Sequence, residues 1–380
     1  MSQAQASFNL RRFLLSGDGW PYLLVPFIPI AVALDLGDAA PAFVFFASAL
    51  GVIPTAALMG RATEELAARS GPGIGGLLNV TFGNAPELII AFFALREGLH
   101  EVVKASLVGS ILGNILLVMG AAMLVGGSRR GRNRQYFDRT AAQAQALMLL
   151  LASVALVMPA VFQLVVGGSL PSPTERDHHF PGDLEAMSAL VACVLLASYV
   201  AGLVFSLKTH RDLFNPPHDD DEEEADDAWT FRRSVIMLAI AGAAVGLMSE
   251  ILVGSIEEAS HGIGISPFFV AVIVVAIVGN AAEHWVAVYF AWRDKMDLSI
   301  NIAIGSSAQV ALFVAPVLVL LSLVVGPFPM PLVFNGLELG AILLAIIIAN
   351  QVVQEGESTW FEGVQLLAVY VVLGIVFVFV

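Results

Sequence analysis

The chain has 380 residues, 58% of them hydrophobic and only 13% charged, with a mean hydropathy of +0.83. A water-facing domain carries about 25% charged residues, so a soluble enzyme, a nucleic-acid-binding protein and a disordered chain are excluded. The apolar runs have the length of membrane helices and lack the alternation of an outer-membrane barrel. An all-α polytopic membrane protein remains. Its formal charge of −14, from 18 Lys and Arg against 32 Asp and Glu, is large for that class and needs a location.

Hydropathy gives eleven candidate spans: 20–36, 41–60, 74–97, 102–126, 142–167, 184–207, 231–258, 266–292, 298–326, 331–354 and 361–380. The first carries Pro21, Pro26 and Pro29. It follows Leu10-Arg11-Arg12-Phe13 with no small-residue cleavage pattern, so it is expected to stay as a helix. The lone cysteine, Cys193, lies in an apolar run and is expected as a small core residue. Gly109-x-x-x-Gly113, Gly242-x-x-x-Gly246 and Gly336-x-x-x-Gly340 are read as helix-packing motifs.

With the N-terminus in the cytoplasm, the inner segments hold 15 of the 18 basic residues and the outer segments hold Arg96, Lys104 and Arg176. That asymmetry sets the orientation and puts the C-terminus outside. The longest polar stretch, 208–232, is then cytoplasmic. It holds Asp219, Asp220, Asp221, Glu222, Glu223, Glu224, Asp226 and Asp227, more than half of the net negative charge.

Two segments match at an offset of 196: Gly83-Asn84-Ala85-Pro86-Glu87 with Gly279-Asn280-Ala281-Ala282-Glu283, and Gly109-Ser110 with Gly305-Ser306. Matching Gly, Asn, Glu and Ser inside apolar runs marks an internal repeat. Each copy holds five spans, an odd number, so the second enters the membrane from the opposite side, as in secondary transporters. The expected organisation is an N-terminal segment with one extra helix (1–40), a first five-helix repeat (41–207), an acidic linker (208–232) and a second five-helix repeat (233–380).

Glu87 lies about 20 Å into its span at about 1.5 Å per residue, and Glu283 near the middle of its own. An ionisable group at that depth is costly and marks a functional site. No Lys or Arg is expected at similar depth to balance the pair, so a bound cation or protons must do so. Gly83 with Pro86, and Gly279 in the second copy, are expected to kink their helices and free backbone carbonyls. Asn84, Asn280, Ser110, Asn114, Ser306, Ser307 and Gln309 add side-chain oxygens. Two carboxylates in an all-oxygen shell suit a hard divalent cation, Ca²⁺ above all, and the same carboxylates take protons. His284 follows Glu283 and is a candidate for proton handling; Gln309 is Gly113 in the other copy, so the two sites are not equivalent. Glu64 and Glu257 are candidate vestibule carboxylates at helix ends. No resident cofactor is expected beyond the transported Ca²⁺ and H⁺. The other partner is the lipid bilayer, no nucleic acid is expected, and a homo-oligomer is left open.

These motifs resemble the cation/proton exchanger branch of the Ca²⁺:cation antiporter superfamily. The resemblance runs through Thr63-Glu64-Glu65, 76–88, 106–120, Ile256-Glu257-Glu258-Ala259, 278–284 and 305–311. It implies Ca²⁺ export driven by inward proton movement, Glu87 and Glu283 as the carriers of both ions, and a regulatory acidic segment here at 219–227. Gly-Asn-Ala before each glutamate favours protons over Na⁺ as counter-ion. Ala276 stands where the resemblance leads one to expect proline. A monovalent cation/H⁺ or Na⁺/Ca²⁺ exchanger on the same scaffold is the alternative. Compact length favours a bacterial inner membrane.

Overall fold

The computed structural model describes residues 19–128, 134–173, 180–209 and 229–380, without the side chains of 71–73, 76 and 80. A 3₁₀ turn, Trp20–Leu24, leads into α1 (Phe27–Leu36). There follow α2 (Pro41–Arg69), α3 (Gly71–Gly83), α4 (Ala85–Arg96), α5 (His100–Gly127), α6 (Arg139–Gly167) and α7 (Gly182–Thr209). The second half holds α8 (Phe231–Ile263), α9 (Pro267–Gly279), α10 (Ala281–Trp292), α11 (Met296–Ser322), α12 (Gly336–Val352) and α13 (Trp360–Val378).

Among the described residues, α2, α5, α6, α7, α8, α11 and α13 are each long and apolar enough to cross a membrane. Two further pairs bend sharply at a single residue, α3–α4 by 43° and α9–α10 by 62°. Two apolar helices are shorter: Trp20–Leu36 and Gly336–Val352. Each element falls on one of the segments expected from hydropathy. The helix α2 runs on to Arg69, past the expected end near 60, because Arg61 to Arg69 is polar but rich in helix-forming Ala, Glu, Leu and Arg.

Helix starts are fixed locally. Asp138 accepts from the Ala141 N–H at the head of α6, and Thr230 from the Arg233 N–H at the head of α8. Asn335 with Glu338 and Thr359 with Glu362 form reciprocal capping boxes on α12 and α13. A two-residue ladder pairs Gln135 with Ser358 and Tyr136 with Glu357, tying the connection after α5 to the start of α13.

The molecule is apolar outside and carries polar groups inside. Leu147, Leu151, Val154, Leu190, Ile240, Leu344 and Val372 are exposed, while Ser48, Ser153, Ser234, Asn84 and Asn280 are buried. That inversion suits a hydrocarbon solvent, where backbone hydrogen bonds must be satisfied within each helix. Cys193 belongs to the exposed apolar surface, which corrects its expected place in the core. Of the glycine motifs, only Gly109 makes a backbone-close contact: a Cβ there would lie 2.0 Å from the Val272 carbonyl oxygen of α9. Gly242, Gly336 and Gly340 have nothing within 4 Å of that position. The close helix crossing lies instead at Gly120 and Gly363, where α5 and α13 meet backbone to backbone.

Candidate functional site

The two bends place the site. In each, an Asn leaves the helical path: Asn84 (φ −94, ψ 17) between α3 and α4, and Asn280 (φ −99, ψ 4) between α9 and α10. Pro86 sits in the first turn of α4, where its missing N–H costs nothing. It therefore starts a helix rather than bending one, and the copy without proline bends more. Glu87 and Glu283 each occupy the first turn after the break, near a helix N-terminus whose dipole favours negative charge. The Asn84 and Asn280 carbonyls accept from the Leu88 and His284 N–H groups. At those two positions the available oxygens are therefore on side chains, contrary to the expected freed carbonyls.

The repeats cross at this level. A Cβ on Gly83 would lie 3.6 Å from Glu283 Oε1, and one on Gly279 would lie 3.7 Å from Glu87 Cγ. Each glutamate side chain thus lies within van der Waals reach of the other copy's glycine. Turns of π-helix at Gly113–Val118 in α5 and Val310–Val314 in α11 follow the serines that face the site; such turns recur at functional positions.

Hydrogen bonds order the shell. Ser306 Oγ donates to Glu283 Oε2 at 2.8 Å. Asn280 Nδ2 donates to Ser110 Oγ at 3.1 Å and to the Ala276 carbonyl at 2.9 Å. Asn84 Nδ2 donates to Gln309 Oε1. His284 Nε2 and Asn114 Oδ1 lie 3.2 Å apart, and the imidazole fills the space left open by Gly113. Among the described residues, the buried oxygens without a hydrogen bond include Glu87 Oε2, Asn84 Oδ1 and Asn280 Oδ1. All are acceptors, and an unpaired buried acceptor is costly. A cation or a proton is the chemistry that satisfies them.

A cavity of about 1000 Å³ reaches this shell from the end of the molecule that carries Arg61, Glu64, Glu65 and Leu207. Glu87, Glu283, Gly83, Gly279, Ser306 and Gln309 line its deep part. Ser307 bonds to the Ala303 carbonyl of its own helix and does not line the cavity. Glu257 lies toward the far end of α8 and does not line it either. Asp219, Asp220, Asp221, Glu222, Glu223 and Glu224 lie outside the described residues. Just after them, the Trp229 N–H donates to Glu65 Oε2 at 2.9 Å. The guanidinium carbons of Arg61 and Arg233 lie 5.1 and 4.7 Å from the Trp229 ring centre.

Sequence reasoning missed Asn79, Gln145 and Asn301, which also line the cavity. Gln145 is the most telling, since its Oε1 is buried without a hydrogen bond. Sequence reasoning also missed a second charged cluster. Lys104, counted among the outer basic residues, is buried and pairs with Glu101 at 2.7 Å. Glu338, wholly buried, lies within electrostatic reach of both. A period-based search for polar residues at regular offsets in apolar helices would have found Gln145; nothing local links Lys104 to Glu338. Among the described residues no group of three or more His, Cys, Asp and Glu is placed to hold a metal.

Fold and site together define a polytopic helical membrane protein with a paired-carboxylate site between two repeats. The sequence matches the sodium/calcium exchanger protein family over residues 40–208 and 233–379. The chain belongs to that family. It is 42% identical to the Ca(2+)/H(+) antiporter of Synechocystis sp. over 94% of this chain and 96% of the relative. It is 41% identical to the Ca(2+)/H(+) antiporter ChaA of Bacillus subtilis, over 92% and 96%. The solved structure of native YfkE superposes with a TM-score of 0.79 at 38% identity, over 95% of this chain and all of that one.

Proposed function

We propose that this protein is a secondary active transporter that exchanges Ca²⁺ for H⁺ by alternating access and exports Ca²⁺ from the cytoplasm. One observation carries the reading: two carboxylates from symmetry-related breaks meet at the floor of one cavity, with acceptor oxygens left unpaired around them. The antiporter relatives support the same ions. Glu87 and Glu283 take Ca²⁺ with Asn84, Asn280, Ser306 and Gln309 as neutral ligands, and take protons when Ca²⁺ leaves. A vacant, doubly ionised pair in a low-dielectric interior is too costly to carry across, so the site crosses the membrane loaded with one ion or the other. His284 acts through Asn114 by fixing the wall of α5 beside the site.

The end with Arg61 and Lys208 is the cytoplasmic one, which the concentration of Arg and Lys there supports. The structure is then open to the cytoplasm, with the N-terminus inside and the C-terminus outside, in a bacterial inner membrane. The division into 41–207, 208–232 and 233–380 is supported by the two separate family matches. The described chain resumes at Trp229, beside Glu65 of the cavity lining, which supports a role for the acidic run in raising the local concentration of divalent cations.

The test is Ca²⁺ uptake into proteoliposomes driven by an imposed pH gradient. Glu87→Gln and Glu283→Gln should each lower uptake by about 100-fold or more, since each removes charge balance for the ion. Uptake driven by a Na⁺ gradient instead would move the reading to a Na⁺/Ca²⁺ exchanger. Neutralising 219–227 should raise the Ca²⁺ concentration for half-maximal transport with turnover kept, and the effect should fade at high salt.

A further inference from the structure

A second cavity, of about 10 Å³, lies on the far side of Glu87. Its walls are Glu87, Ile90, Ser106, Leu107, Ser110, Val275, Ala276 and Gly279. Six of these eight have counterparts 196 positions away that line the large cavity, namely Glu283, Val286, Ile302, Ser306, Asn79 and Gly83, whereas Ala303, the counterpart of Leu107, does not. The two cavities are therefore the same place in the two halves of an inverted repeat. One is wide open and the other has collapsed to about the volume of a single water.

The helix contact that separates them shows the same relation. On the collapsed side α5 and α9 touch at Gly109, where a Cβ would meet the Val272 carbonyl at 2.0 Å and the Ala276 Cβ at 2.7 Å. On the open side, among the described residues, the atoms nearest a Cβ at the counterpart Gly305 belong to Gln145, at 3.7–3.8 Å. Chemistry differs as well as width. Where the open side has Asn79 and Asn301, the collapsed side has Val275 and Ala105. Where the open side has Ile302, the collapsed side has Ser106. Apart from Glu87, the side chains that offer oxygen among the residues lining the small cavity are those of Ser106 and Ser110. Ser110 already accepts from Asn280. Ser106 donates to the Val103 carbonyl at 2.8 Å, which leaves its lone pairs for a cation, a water or a proton.

We propose that the small cavity is the sealed vestibule of the face opposite the open one, and that Ser106 is the hydroxyl through which ions pass between Glu87 and that face. This route is drier than the open one and has a single hydroxyl that its counterpart lacks. The inference rests on the exchange reading for its direction of traffic, and on the repeat geometry for its location.

The experiment uses the full chain with Cys193→Ser, so that no native thiol is present, in vesicles of known orientation. Ser106→Cys and Ile302→Cys are added singly and treated with a charged, membrane-impermeant thiol reagent from either face. Ile302→Cys should react from the face of the open cavity. Ser106→Cys should react only from the opposite face, and a Ca²⁺ gradient should change its rate. If Ser106→Cys stays unreactive from that face while the variant still transports, or reacts from the open face, the proposal is overturned. Labelling with the expected sidedness but without proton-coupled Ca²⁺ flux in the Cys193→Ser parent would sink the exchange reading and leave the vestibule standing. Ser106→Val gives an independent readout: apparent Ca²⁺ affinity measured from the opposite face should fall roughly fivefold, as for one lost hydrogen bond, with that from the open face unchanged. Equal effects at both faces would also count against it.

Discussion

The two repeats share a backbone but not a hydrogen-bond pattern. In the second copy Glu283 is held by Ser306 of its own repeat. In the first copy the equivalent Ser110 is engaged by Asn280, and Glu87 keeps an oxygen with no partner. Gln309 reaches Asn84, whereas its counterpart Gly113 has no side chain and His284 fills the gap against Asn114. Their outer flanks differ too. Glu101 pairs with Lys104, while its counterpart Asp297 accepts a hydrogen bond from the Asp138 N–H. Symmetry supplies two interchangeable frameworks, and side-chain asymmetry makes the two carboxylates distinct. One is anchored by a serine, and the other keeps an oxygen without a hydrogen bond.

The comparison is most severely tested at the flank. Lys104→Met leaves the buried Glu338 and the partly buried Glu101 without their cation, and should destabilise the protein by about 3–5 kcal/mol. A lower melting temperature in detergent, partly restored by adding Glu101→Gln, is the expected result. An unchanged melting temperature would mean that the flanks are equivalent after all. A smaller effect comes from the serines. Ser306→Ala removes a hydrogen bond to a carboxylate and should weaken Ca²⁺ affinity roughly tenfold. Ser110→Ala, whose partner Asn280 keeps the Ala276 carbonyl, should cost less than about fivefold. Equal losses, read from Ca²⁺-dependent transport, would erase the distinction between anchored and free carboxylates.

Most of the fold was legible because membrane spans announce themselves by length and apolarity, and because Gly, Asn and Glu recurred at one offset. Glu87, Glu283, Asn84 and Asn280 could be found that way; the two glutamates line one cavity, while the two asparagines sit at the bends and do not line it. The position of each bend was nearly right but its cause was not. The expected kinks at Gly83 with Pro86 and at Gly279 fall one residue on, where Asn84 and Asn280 leave the helical path, and the copy without proline bends more. Ser307 was misplaced because adjacent helical residues point about 100° apart, and only one of two serines can face the cavity. The buried cluster of Lys104, Glu101 and Glu338 joins residues far apart in sequence. Each taken alone reads as an ordinary charge at a helix end, so packing alone brings them together.

Trp229 joins the two repeats at the end where the cavity opens. Its N–H donates to Glu65 of α2, and its ring lies against Arg61 of α2 and Arg233 of α8. A cation–π contact at an exposed site is worth about 0.5–1 kcal/mol, and a hydrogen bond to a charged group about 1.5–3 kcal/mol. Fastenings of that size hold α2 and α8 together on this side without locking them.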